Sequence, residues 1–140
     1  MTRDPSYRHR YRRRPPVVIV RDHAREQRGL VSRQQVLRAG FSEDALERRV
    51  REGEWEEVLP RVYRIGGTPP SWEQSLFAAG LWGGRAAAIS HRSAARLWGL
   101  DGVEGGPIEI TVGRRLEAAD IVVHCSKLLR THVTKIQRIE

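Results

Sequence analysis

The stretch Gly29–Ile65, GLVSRQQVLRAGFSEDALERRVREGEWEEVLPRVYRI, constrains the fold more than any other part of the chain. Ser32 stands where a helix N-cap belongs, and Gln35 is three residues on, the spacing of a capping box. Val36, Leu37 and Ala39 give that helix an apolar side, and Gly40 can take the left-handed conformation in which helices stop. Ser42 then caps a second helix, with Phe41 and Leu46 at hydrophobic-staple spacing. Glu43 and Asp44 favour its first turn through the helix dipole. Leu46 and Val50 face a core, and Gly53 ends the helix. Trp55–Val58 and Val62–Ile65 read as two strands around the turn Leu59-Pro60-Arg61. With a further helical pattern over Val17–Arg28, on which Val17, Val20 and Ala24 share a face, the order is helix, helix, glycine turn, helix, hairpin. That is the order of a winged helix-turn-helix, whose last helix fits the DNA major groove.

On that last helix, 100° per residue puts Asp44, Arg48 and Arg51 opposite Leu46 and Val50. These three would face the groove, where an arginine pairing with guanine discriminates by about 1–3 kcal/mol. Arg33 at the start of the preceding helix and Arg61 at the wing tip would contact phosphates, which set register and affinity. Four or five such contacts predict a salt slope of roughly −4 to −5 on logarithmic axes. The competing reading is a winged helix that binds protein, its arginines a solvated face. Glu54, Glu56 and Glu57 favour that reading, because carboxylates beside a wing repel phosphate.

Net charge is +8 and pI about 10.9, which suits a polyanionic partner. Most of this lies in the tail: residues 1–14 hold six arginines (Arg3, Arg8, Arg10, Arg12, Arg13 and Arg14) against Asp4 alone. Gly29–Gly67 holds seven basic and seven acidic residues and is neutral. The tail through Pro16 lacks apolar residues to bury and reads as disordered. It would either be solvated or grip phosphates as a basic arm.

Gly66-Gly67-Thr68-Pro69-Pro70 reads as a linker. Beyond it, Ser71 and Gln74 form another capping-box pair ahead of an apolar helix through Trp72, Leu76, Phe77, Ala79 and Leu81. Ala86–Ile89 is a strand or a helix. Ser90 caps a further helix with Ala94, Leu97 and Trp98. Ile108–Val112 alternates as a half-buried strand, and Ile121–Cys125 is its partner. The expected fold class is α+β. Residues 1–16 form the tail, 17–67 the winged helix-turn-helix and 68–71 the linker. Residues 72–140 form a helix–helix–β-hairpin region that is incomplete at its end.

Little in the chain suggests catalysis. Ser90 and His91 are adjacent, but the serine is accounted for by capping, and neighbours on a helix point about 100° apart. His124 has no Asp, Glu or His cluster near it in sequence and reads as a packed or exposed imidazole. The glycine pairs at 83–84 and 105–106 lack the spacings of phosphate-cradling loops. Cys125 stands alone, so disulfide frameworks and cysteine-rich metal sites are excluded, and it reads as a small buried hydrophobe. Trp55, Trp72, Trp82 and Trp98 read as core rather than as a base-stacking platform. No metal, cofactor or membrane span is expected, no apolar run approaches the ~20 residues a span requires, and the expected compartment is cytoplasmic.

The segments "Gly-Leu-Val-Ser-Arg-Gln-Gln", "Ala-Gly-Phe-Ser", "Leu-Glu-Arg-Arg-Val-Arg-Glu-Gly-Glu-Trp" and "Arg-Val-Tyr-Arg" resemble the N-terminal domain of AbiEi-type antitoxins. "Ile-Ser-His-Arg-Ser-Ala-Ala-Arg-Leu-Trp-Gly-Leu" and "Ile-Glu-Ile-Thr-Val" resemble the segment that follows in actinobacterial relatives, so the resemblance spans about residues 22–139. It implies a non-enzymatic repressor of its own operon in a type IV toxin–antitoxin pair. Its partners would be operator DNA and a nucleotidyltransferase-like toxin opposed without a stable complex. The second region would support dimerisation or antitoxin action. Many such relatives carry a nuclease-like C-terminal domain, of which no residue matches here. The alternative is therefore a truncated docking or specificity module of such a fusion, binding protein or nothing alone.

Overall fold

A computed structural model of the chain describes residues 14–127 and 132–134. The tail expected over 1–16 therefore lies outside the described residues up to Arg13.

Helix α1, Pro16–Glu26, begins with proline at its first position, where no backbone N–H is needed. Val20 and Ala24 are buried, whereas Val17 is 44% exposed because the helix enters the core only from its second turn. Strand β1, Leu30–Ser32, escapes sequence reading because three residues are too few to show an alternating pattern. Helix α2, Arg33–Ala39, carries the full capping box: Ser32 Oγ accepts from Gln35 N at 3.2 Å, and Gln35 Oε1 accepts from Ser32 N at 2.9 Å. Gly40 ends it at φ 113°, a conformation that costs glycine nothing. Helix α3, Glu43–Arg51, is capped by Ser42, whose Oγ accepts from Ala45 N at 3.1 Å.

Strands β2, Trp55–Leu59, and β3, Val62–Ile65, form the hairpin, and β1 pairs antiparallel with β3. The first sheet thus runs β1-β3-β2. Val20, Ala24, Val31, Val36, Leu46, Trp55 and Tyr63 form one core between this sheet and the three helices, with Phe41 and Val50 packed against it.

Helix α4, Trp72–Gly83, serves both halves of the molecule. Ala78 packs with Leu30 and Val62 of the first sheet, while Leu76 and Ala79 pack with Ile108, Ile110 and Val112 of the second. Ser71 Oγ caps α4 by accepting from Gln74 N at 3.0 Å, but the expected reciprocal half is missing. The Gln74 side chain instead crosses to the first sheet. Its Nε2 donates to Arg28 O at 2.8 Å, and its Oε1 accepts from Arg64 Nη1 at 3.3 Å.

The second sheet comprises β4, Ala88–Ile89, β5, Ile108–Val112, and β6, Ile121–Cys125, in the order β4-β5-β6. The class is α+β, as the sequence suggests, but the expected C-terminal hairpin is not formed. β5 and β6 run parallel, with Ile108 opposite Ile121 and Val112 opposite Cys125. Side-chain alternation is blind to strand direction, and the connection Gly113–Asp120 is long enough to return the chain to the same end of the sheet. β5 is also buried along its whole length rather than on one face. Its isoleucines and Val112 face α4, while Glu109 and Thr111 lie toward helix α5, His91–Leu97, where Ser93 Oγ accepts from Glu109 N at 2.8 Å.

Three further expectations fail here. Ser90 makes no cap hydrogen bond, because its hydroxyl accepts from Thr111 Oγ1 at 2.8 Å instead. Trp98, expected in the core, is 61% exposed just past the end of α5. Cys125 is exposed, at the last position of the edge strand β6.

Candidate nucleic-acid interface

Helix α3 is anchored on one side and open on the other. Leu46 is buried, and Asp44, Arg48 and Arg51, spaced four and three residues apart, are exposed. Among the described residues no ion pair engages Arg48 or Arg51. Arg49, between them in sequence, turns inward: its guanidinium lies 5.2 Å from the Phe41 ring and 5.4 Å from the Trp55 ring, and Nη1 meets Glu54 at 2.6 Å. The stack locks the last turn of α3 onto the start of the wing.

Arg33 and Arg61 differ from each other. The Arg33 guanidinium pairs with Glu43 Oε1 at 2.7 Å, which ties the first turn of α3 to α2 and occupies the cation expected to hold phosphate. Arg61 sits at the hairpin tip with φ 64°, in the left-handed region that non-glycine residues avoid. Two backbone bonds hold it there: Arg61 N donates to Glu57 Oε1 at 2.8 Å, and Arg61 O accepts from Arg33 N at 2.9 Å. Its side chain is exposed, and no described residue pairs with it.

The three wing carboxylates are all engaged. Glu54 pairs with Arg49, Glu56 pairs across the hairpin with Arg64, and Glu57 holds the turn. Each is tied to a donor in the wing or at the end of α3, which moderates the repulsion of phosphate that their sequence positions suggest. Burial pushes the Tyr63 phenol above its ordinary pKa, and the neighbouring Glu57 carboxylate adds to this. Sequence reasoning placed neither Arg49 nor Arg64. Neither carried a local signal, because Arg49 meets Trp55 and Arg64 meets Gln74 only once the elements pack together.

These elements are arranged as in a winged helix-turn-helix: α1, β1, α2, α3 and the β2–β3 wing, with an arginine-bearing face on α3. Residues 19–66, roughly a third of the chain, match the protein family described as "Transcriptional regulator, AbiEi antitoxin". The match begins inside α1 and ends at the close of the wing. No curated protein matches the chain. Among the described residues no helix is long and apolar enough to cross a membrane.

Proposed function

We propose that the chain is a DNA-binding transcriptional regulator of the antitoxin type that represses its own operon. Helix α3 reads operator DNA through Asp44, Arg48 and Arg51, and Arg61 at the wing tip meets the phosphate backbone. The observation that carries this reading is the exposed row on α3, backed by a buried Leu46 and free of ion pairs among the described residues. Residues 17–67 are the reading unit, joined by 68–71 to a region that supports dimerisation or antitoxin action. The regulated partner is a nucleotidyltransferase-like toxin, opposed without a stable complex, in a cytoplasmic setting. Arg33 takes a lesser part than Arg48 and Arg51, because its charge is already met by Glu43.

The test is binding of the full chain to the DNA upstream of its own reading frame, with and without Arg48→Ala and Arg51→Ala. Each substitution should weaken specific binding by about 1–3 kcal/mol and relax base preference at one position. Wild-type affinity in both variants would remove α3 as the reading element.

A further inference from the structure

The second sheet brings together three side chains that lie far apart in the sequence. His91 opens α5, Glu109 lies on β5 and His124 on β6. One potential ligand atom from each lies within 4.8 Å of the others. The parallel pairing sets Glu109 opposite Val122 and Thr111 opposite His124, so Glu109 and His124 share the sheet face toward α5. His124 Nε2 lies 2.8 Å from Glu109 Oε2, and the His91 ring stacks on His124 at 3.6 Å between centroids.

Three details of this cluster go beyond ordinary packing. Glu109 is only 8% exposed, and a buried carboxylate is costly unless a cation faces it. Among the described residues its only side-chain ion-pair partner is an imidazole, charged only when protonated. His91 is held at φ 49°, a backbone strain that for a non-glycine residue costs on the order of 1–3 kcal/mol. Its ring is exposed, so burial does not repay the strain. Finally, Ser90 Oγ lies 2.9 Å from His91 Nδ1 and is itself fixed by Thr111 Oγ1 at 2.8 Å. In the tautomer that donates Nδ1–H to Ser90, the Nε2 lone pair is left open. A hydrogen bond of this kind favours the tautomer that keeps the other ring nitrogen available as a metal ligand.

The geometry points to a divalent transition-metal site of the zinc class, held by His91, Glu109 and His124. Two imidazole nitrogens and one carboxylate suit zinc, whereas calcium and magnesium favour all-oxygen sets. Three protein ligands leave a fourth position for water or a further ligand. Two face-to-face imidazoles cannot both direct their in-plane lone pairs at one ion, so binding requires the exposed His91 ring to turn off His124. The ion would cross-link α5, β5 and β6.

The test uses the untagged full chain, titrated with Zn²⁺ by calorimetry and with Co²⁺ by visible absorption. The expected result is one ion per chain with a Kd of about 1 μM or tighter, and a thermal midpoint raised by zinc. His91→Ala and Glu109→Gln should each weaken binding at least about tenfold, while His23→Ala on α1 leaves it unchanged. His91 is exposed, so its variant reads binding without disturbing the core, and circular dichroism verifies that fold. Absence of saturable binding, or wild-type affinity in His91→Ala, would overturn the site.

Discussion

Neighbouring arginines on α3 have opposite duties. Arg48 and Arg51 face outward, while Arg49 is sandwiched between Phe41, Trp55 and Glu54. Arg49→Ala should therefore lower stability by about 1–2 kcal/mol, through lost stacking and a partly uncovered Trp55. Arg48→Ala and Arg51→Ala should stay within about 0.5 kcal/mol of wild type in urea unfolding. Equal losses at all three positions would contradict this division. Tyr63 gives a pH signature at the same scale. Its pKa is raised in the folded state, first by burial and then by Glu57. The raised value favours folding below pH ~10, and that contribution is lost as pH climbs through the folded-state pKa. Stability should fall above pH ~10 in the wild type and fall less steeply in Tyr63→Phe, as pH-dependent unfolding curves would show. The outward row on α3 was legible from helical periodicity alone. The inward turn of Arg49 was not, because it depends on Trp55 reaching back from the wing.

At the scale of the element, local signals were readable and remote ones were not. Ser32 and Ser42 cap α2 and α3 as their sequence context suggests, since donor and acceptor lie three residues apart. Gln35 goes further than capping: it exchanges two hydrogen bonds with Gln27, at 2.9 and 3.0 Å, and so ties α2 to the end of α1. Ser32→Ala should cost about 1 kcal/mol or more, because loss of the cap also loosens this amide pair. Thermal unfolding of the variant measures it, and an unchanged midpoint would show the cap to be idle. Ser90 has the same local context and makes no cap. Thr111, twenty-one residues away, takes its hydroxyl instead. The parallel pairing of β5 and β6 was hidden for a related reason: residue alternation sets which face a side chain occupies, and strand direction depends on the path of the intervening loop. The cluster of His91, Glu109 and His124 could not be read either, since only that pairing brings it together.

At the scale of the whole molecule, α4 binds the two sheets into one packing scheme. Gln74 is buried at 4% exposure and joins α4 to Arg28 and Arg64. Gln74→Leu keeps the volume but removes both hydrogen bonds of this buried amide, and should cost about 1–3 kcal/mol. A chemical-denaturation midpoint indistinguishable from wild type would show that the bridge carries no weight. A related consequence concerns Leu30 and Val62, both nearly devoid of exposure, with Ala78 packed against them. The family match ends at residue 66, before α4 begins. A chain cut at that boundary would retain three helices and a wing, yet open a wet apolar socket where Ala78 had been the plug. The portable unit is therefore larger than the recognisable one: a graft of this three-helix head and its wing onto another protein must carry α4 with it or supply a substitute stopper.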